Sequence, residues 1–95
     1  MRVPDQEEQA GAVWLEAAAR ALVDHDQDVT MQRVVFDASR DGYRVDFAHR
    51  NVPDHVWWAT FDWELLRMLP DASEPVLYEL NDAIRRARRM DMSER

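Results

Sequence analysis

The chain has 95 residues, a net charge of −7 and no cysteine. That is enough for one small domain, and it excludes disulfides, cysteine-ligated zinc and a thiol nucleophile. An apolar share of 46% with nine large aromatics argues against disorder, and only two glycines and four prolines favour a helix-rich fold.

The first nine residues, MRVPDQEEQ, lack the apolar segment of a signal peptide, and no apolar run is long enough to span a bilayer. With the absence of cysteine, this points to the cytoplasm. Asp5 is placed to cap a helix, and Glu8 three residues later completes a capping box. Apolar residues recur at helical spacing at Ala10, Val13, Trp14, Ala17, Ala18, Ala21 and Leu22. A helix over residues 5–24 follows, with this stripe as its buried side.

The acidic break DHDQD comes next, at 24–28. It fails the calcium-loop pattern, because the sixth and twelfth positions from Asp24 are Val29 and Val35 rather than Gly and Glu. Acidic groups at a helix C-terminus oppose its dipole, which makes Asp24, Asp26 and Asp28 candidates for a docking face. Residues 29–37 are rich in β-branched side chains, and 43–49 alternate, with Tyr43, Val45 and Phe47 on one side and Arg44 and Asp46 on the other. Asp41-Gly42 supplies the left-handed turn of a β-hairpin. Val34 and Phe36 join the inward face.

The stretch DHVWWATFDWELL, residues 54–66, holds three of the four tryptophans: Trp57, Trp58 and Trp63. It reads either as a third strand over 55–61 followed by a short helix capped by Asp62 and stopped before Pro70, or as one helix over 53–69. The first is preferred, because a lone hairpin is marginal. As a strand it sends Trp57 and Trp58 to opposite faces, and two long helices cover only one of them. The far face then needs the short helix, a second copy of the chain or a target. The last element is a helix over 74–90, with Ser73 as its cap, Pro75 in its first turn and a stripe of Val76, Leu77, Leu80, Ala83, Ile84 and Ala87.

The fold expected is α+β: a small antiparallel β-meander of two or three strands flanked by an N-terminal and a C-terminal helix, in the order αββ(β)αα. It is one domain over 1–95, with 1–4 and 91–95 frayed.

Catalytic motifs are lacking. The two glycines cannot build a phosphate loop, and the serines fall at a turn, a helix start and the tail. His49 and His55 flank RNVPD, with Asp54 adjoining His55, but no nucleophile motif stands nearby. No enzyme activity, no cofactor and no metal site is therefore expected. The segment RRARR at 85–89 suits the dipole of a helix C-terminus and pairs along the helix, with Asp82 before Arg85 and Arg86 and with Asp91 after Arg88. Residues 83–95 carry five arginines against Asp91 and Glu94, a balance of +3, which leaves −10 on residues 1–82. Such a body repels nucleic acid and anionic membranes and attracts a basic protein surface.

In size, acidity and layout the chain resembles, at the level of class, bacterial immunity proteins, antitoxins and phage-encoded inhibitors. The resemblance implies a non-catalytic inhibitor of the immunity or anti-defence kind. It would occlude a basic site on a nuclease, a toxin or a nucleic-acid-binding effector. Asp24, Asp26, Asp28, Asp54, Trp57, Trp58 and Trp63 are the partner-binding candidates. The alternative is a homodimeric structural or chaperone-like assembly subunit.

Overall fold

A computed structural model describes residues 5–37 and 41–92. The order of elements is α1 (Gln6–Val23), β1 (Val29–Asp37), β2 (Gly42–His49), β3 (Val52–Asp62), α2 (Trp63–Arg67) and α3 (Ser73–Arg88). The strands form an antiparallel meander in the order β1-β2-β3. This is the α+β architecture expected, with the third strand present and longer than read.

α1 starts where Asp5 accepts a hydrogen bond from the Glu8 amide at 2.9 Å. Its buried side differs from the expected stripe. Glu8, Gly11, Leu15, Ala19 and Val23 face inward; of the expected stripe, Trp14, Ala18 and Leu22 pack half-buried at the core's margin, whereas Ala10, Ala17 and Ala21 are exposed and Val13 is 68% exposed. Both arcs are apolar. The arc with Leu15 and Val23 has the larger side chains to bury, and Gly11 lets α2 approach: a Cβ there would lie 2.5 Å from the Leu66 carbonyl oxygen.

The hairpin turn also differs in detail. Asp41, not Gly42, takes the left-handed conformation, with φ 57°, and residues 38–40 lie outside the described residues. Gly42 is needed for a different reason. A Cβ there would run into the carbonyl of Phe61 on β3. Asp41 is held from the other side by Trp63, whose amide donates to its carbonyl and whose indole Nε1 donates to its carboxylate.

A bulge between Met31 and Arg33 shifts the alternation of β1 by one residue. Val29 and Met31 point inward before it, and Val34 and Phe36 after it, opposite Val45 and Tyr43. Tyr43, Val45 and Phe47 are buried as expected, while Val34 and Phe36 are only half-buried. β3 contributes Trp57, Ala59 and Phe61. Over this face lie Leu15 and Ala19 of α1, Trp63 and Leu66 of α2, and Val76, Leu80, Ala83, Ile84 and Ala87 of α3. The α3 stripe is the expected one, with Leu77 at its margin.

Asp62 caps α2 by accepting from the Leu65 amide at 3.0 Å. Ser73 does not cap α3; Ala72 occupies that position and makes no side-chain bond. The fraying expected of 1–4 and 93–95 lies outside the described residues. Asp91 is tied down, because its carbonyl accepts from the Trp57 indole at 2.6 Å. No helix among the described residues is long and apolar enough to cross a membrane.

Candidate functional site

All three helices lie on one side of the sheet. The short helix joins that inner layer, where Trp63 packs its ring against Phe36 and Tyr43 at centroid distances of 5.1 and 5.5 Å. It does not cover the far face. That face presents Arg33 and Val35 from β1, Arg44 and Asp46 from β2, and Trp58 and Thr60 from β3, as the register requires.

The three expected tryptophans therefore separate. Trp57 is 2% exposed and Trp63 3%, so both belong to the core. Trp58 is 44% exposed on the uncovered face. Trp14 is half-buried beside the core.

A small ionic cluster surrounds Trp58. Asp46, its cross-strand neighbour, is fully buried although it lies on the open face, because arginines close over it. Arg33 Nε donates to Asp46 Oδ2 at 2.8 Å, and Arg44 Nη2 donates to the same oxygen at 3.2 Å. Arg44 Nε stands 2.8 Å from Oδ1 as an ion pair, outside hydrogen-bond alignment. The Arg44 guanidinium also lies 5.8 Å from the Trp58 ring centroid, a cation–π distance. The carboxylate orients Arg44, and Arg44 backs the indole. Two guanidiniums around one carboxylate make the cluster locally positive, which its acidic surroundings had concealed.

At one end of the same face, Asp37, Gly42, Tyr43, Thr60, Phe61 and Asp62 line a notch of about 190 Å³. Its lining includes two carboxylates, of which Asp62 is the cap of α2.

The acidic break is mostly committed to the fold. Asp26 Oδ1 accepts from the amides of Asp28 and Val29, at 2.9 and 3.0 Å. Its other oxygen accepts from Arg88 Nη2 at 2.8 Å and from Nε at 3.2 Å. Burial alone would raise the Asp26 pKa, but the bonds from Arg88 and from the two amides outweigh it and hold the carboxyl below its ordinary value. Arg88 thus pairs with Asp26 rather than with Asp91. Asp28 pairs with Arg50 at 2.9 Å. Asp24 and Asp54 are exposed. Asp82 pairs with Arg86 along the helix at 3.1 Å, as the spacing implies.

A second ionic knot ties α1 to α2. Arg67 Nη2 donates to Glu8 Oε1 at 2.7 Å and to Asp5 Oδ2 at 2.8 Å. The Glu8 amide bond and the Arg67 contact keep the Asp5 carboxyl below its ordinary pKa. Glu8 is therefore half of an ion pair as well as a cap neighbour. Its charge and the burial of the phenol raise the Tyr43 pKa, burial being the larger cause.

The histidines are spread out. His49 is buried, and its Nδ1 accepts from the Asn51 amide at 3.0 Å. His55 packs edge-on against Trp57 at 4.3 Å. His25 is exposed beside Asp24. Among the described residues no group of three or more His, Asp or Glu is placed to hold a metal ion.

Comparison with protein-family models, curated proteins and solved structures finds no match.

Proposed function

We propose that this chain is a small, acidic, non-catalytic protein-binding module, an occluder of the inhibitor, immunity or anti-defence kind that covers a basic site on a partner protein, with Trp58 as its apolar anchor beside that site. The observation that carries this reading is a half-exposed tryptophan on the edge strand β3, on a sheet face that no described helix covers. Exposing an indole forgoes stabilisation on the order of 2 kcal/mol. That is a large sacrifice for a small domain and calls for a compensating contact.

Tryptophan and arginine dominate the energetics of protein interfaces, and rigid side chains lose little entropy on binding. Here Arg44 and Asp46 hold the anchor before the partner arrives. The net charge of −7 draws a basic surface from a distance. Asp24 and Asp54 add to the approach. Asp26 and Asp28 serve the fold. The cysteine-free composition fits a cytoplasmic setting.

The test is affinity capture from host lysate with wild type and Trp58→Ala side by side. The captured protein is then purified and titrated against both. The reading predicts that the substitution weakens binding by about 30-fold or more, and that wild-type association slows as salt rises. Identical capture by wild type and variant would remove Trp58 as the anchor.

A further inference from the structure

Charge near Trp58 runs against the charge of the whole chain. β2 is the central strand, and β1 and β3 are the two edges of the sheet. The register sets Arg33, Asp46 and Trp58 in one row across all three strands, with Val35, Arg44 and Thr60 in the next. Strands lie about 4.8 Å apart, so a row spans about 10 Å. Asp46 is fully buried, while the side chains of Arg33 and Arg44 beside it are 61% and 36% exposed. Arg33 gives Asp46 only its Nε–H out of five N–H groups, and Arg44 turns Nε and Nη2 toward it. Among the described residues no second carboxylate joins them. Two guanidiniums therefore share one negative charge.

We infer that this cluster is a seat for a single further carboxylate, an aspartate or glutamate side chain that the partner protein brings against Trp58. The inference rests on the reading of Trp58 as the anchor, and it sets the sign of the partner's charge at that point.

The ligand is selected by what the seat accepts and what the body refuses. Asp46 holds both guanidiniums in place, so their remaining N–H groups are ordered for a planar anion before it arrives. A cation there would meet like charge, and would find the indole already backed by Arg44, 5.8 Å from the ring centroid. A polyanion is turned away by the −10 carried on residues 1–82. An isolated carboxylate set in a basic surface meets both conditions: the surface is drawn by the chain as a whole, and the carboxylate by Arg33 and Arg44. A docking register that placed a basic residue against Trp58 would be penalised, so the cluster also selects the register.

Benzoate and benzylammonium carry one phenyl ring each and opposite charges, and they test the seat without the partner. In a nitrogen–proton NMR titration read at the Trp58 indole and at the Arg33 and Arg44 Nε–H signals, benzoate should bind about 5-fold more tightly than benzylammonium, against the net charge of −7. Arg33→Gln should weaken benzoate by about 3-fold, and Arg33→Lys, which keeps the charge, by less. Benzylammonium binding as tightly as benzoate would overturn the inference. So would a single-stranded oligonucleotide that moves the same signals at lower concentration than benzoate. With the purified partner, Arg33→Gln should weaken binding by about 10-fold. Weakening by Trp58→Ala but not by Arg33→Gln would remove the carboxylate and leave the anchor standing. Unchanged binding in both variants would remove the anchor and, with it, the partner's carboxylate.

Discussion

Asp26 and Arg88, 62 residues apart in sequence, are joined by two hydrogen bonds to one carboxylate oxygen, at 2.8 and 3.2 Å. The other oxygen of Asp26 caps the backbone that enters β1. A single side chain thus fixes the exit of α1, the start of the sheet and the C-terminal end of α3.

This relationship gives a pH dependence with a definite sign. The Asp26 carboxyl has a lower pKa folded than unfolded, so its stabilisation is complete above the unfolded value near 4 and is lost as pH falls through the folded value. Asp26→Ala should cost about 1–2 kcal/mol at neutral pH, chiefly through the lost caps, since Arg88 is half in water. Urea denaturation at a series of pH values below 5 checks this. The gap between wild type and variant should narrow as the solution is acidified.

The tryptophans should divide sharply in stability. Trp57→Ala and Trp63→Ala remove buried rings and should each cost about 3–5 kcal/mol. Trp58→Ala should cost about 1 kcal/mol or less, because its ring is half in water and gives up mainly its contact with Arg44. Chemical denaturation of the three variants measures the contrast.

Gly11→Ala should destabilise, against the usual effect of that change in a helix. Alanine favours a helix by about 1 kcal/mol over glycine. Here the added methyl meets the carbonyl of Leu66 on α2, backbone that has no room to yield. A raised melting temperature would show that the α1–α2 approach is looser than described.

Arg67 should matter more than its surface position suggests. Arg67→Ala takes a partner from the fully buried Glu8, whereas Glu8→Gln removes the charge itself. The arginine variant should unfold at the lower urea concentration. Equal midpoints would mean that the pair is not what holds α2 against α1.

Much of the fold was legible. The run of β-formers ahead of an Asp62 cap favours a third strand and a short helix over one helix across 53–69 without excluding the latter, and the α3 stripe matches the structure. The error in α1 has a physical cause. The helix carries two apolar arcs, and the buried one is interrupted by Glu8 and thinned by Gly11, so in sequence it looks weaker than the alanine-rich arc, of which Trp14, Ala18 and Leu22 reach the core's margin and the rest face water. Volume and close approach decided between them, not periodicity.

The site was legible in part. Alternation along β3 requires Trp57 and Trp58 to face apart, but which side the helices choose is a tertiary matter. The sequence does not point to the ion pairs of Asp26 and Asp28, since the arginines that engage them, Arg88 and Arg50, lie far along the chain. Asp46 gave no signal beyond its outward phase. Only the register shows that two arginines fold over it beside an indole.

Three indoles within seven positions sense three different surroundings: one bonded to a distant carbonyl, one beneath the hairpin turn, one half in solvent. The molecule therefore carries its own optical labels. Blue emission from Trp57 and Trp63 follows folding, and the quencher-accessible emission of Trp58 follows whatever settles over it, so occupancy can be watched in an untagged sample without disturbing either edge.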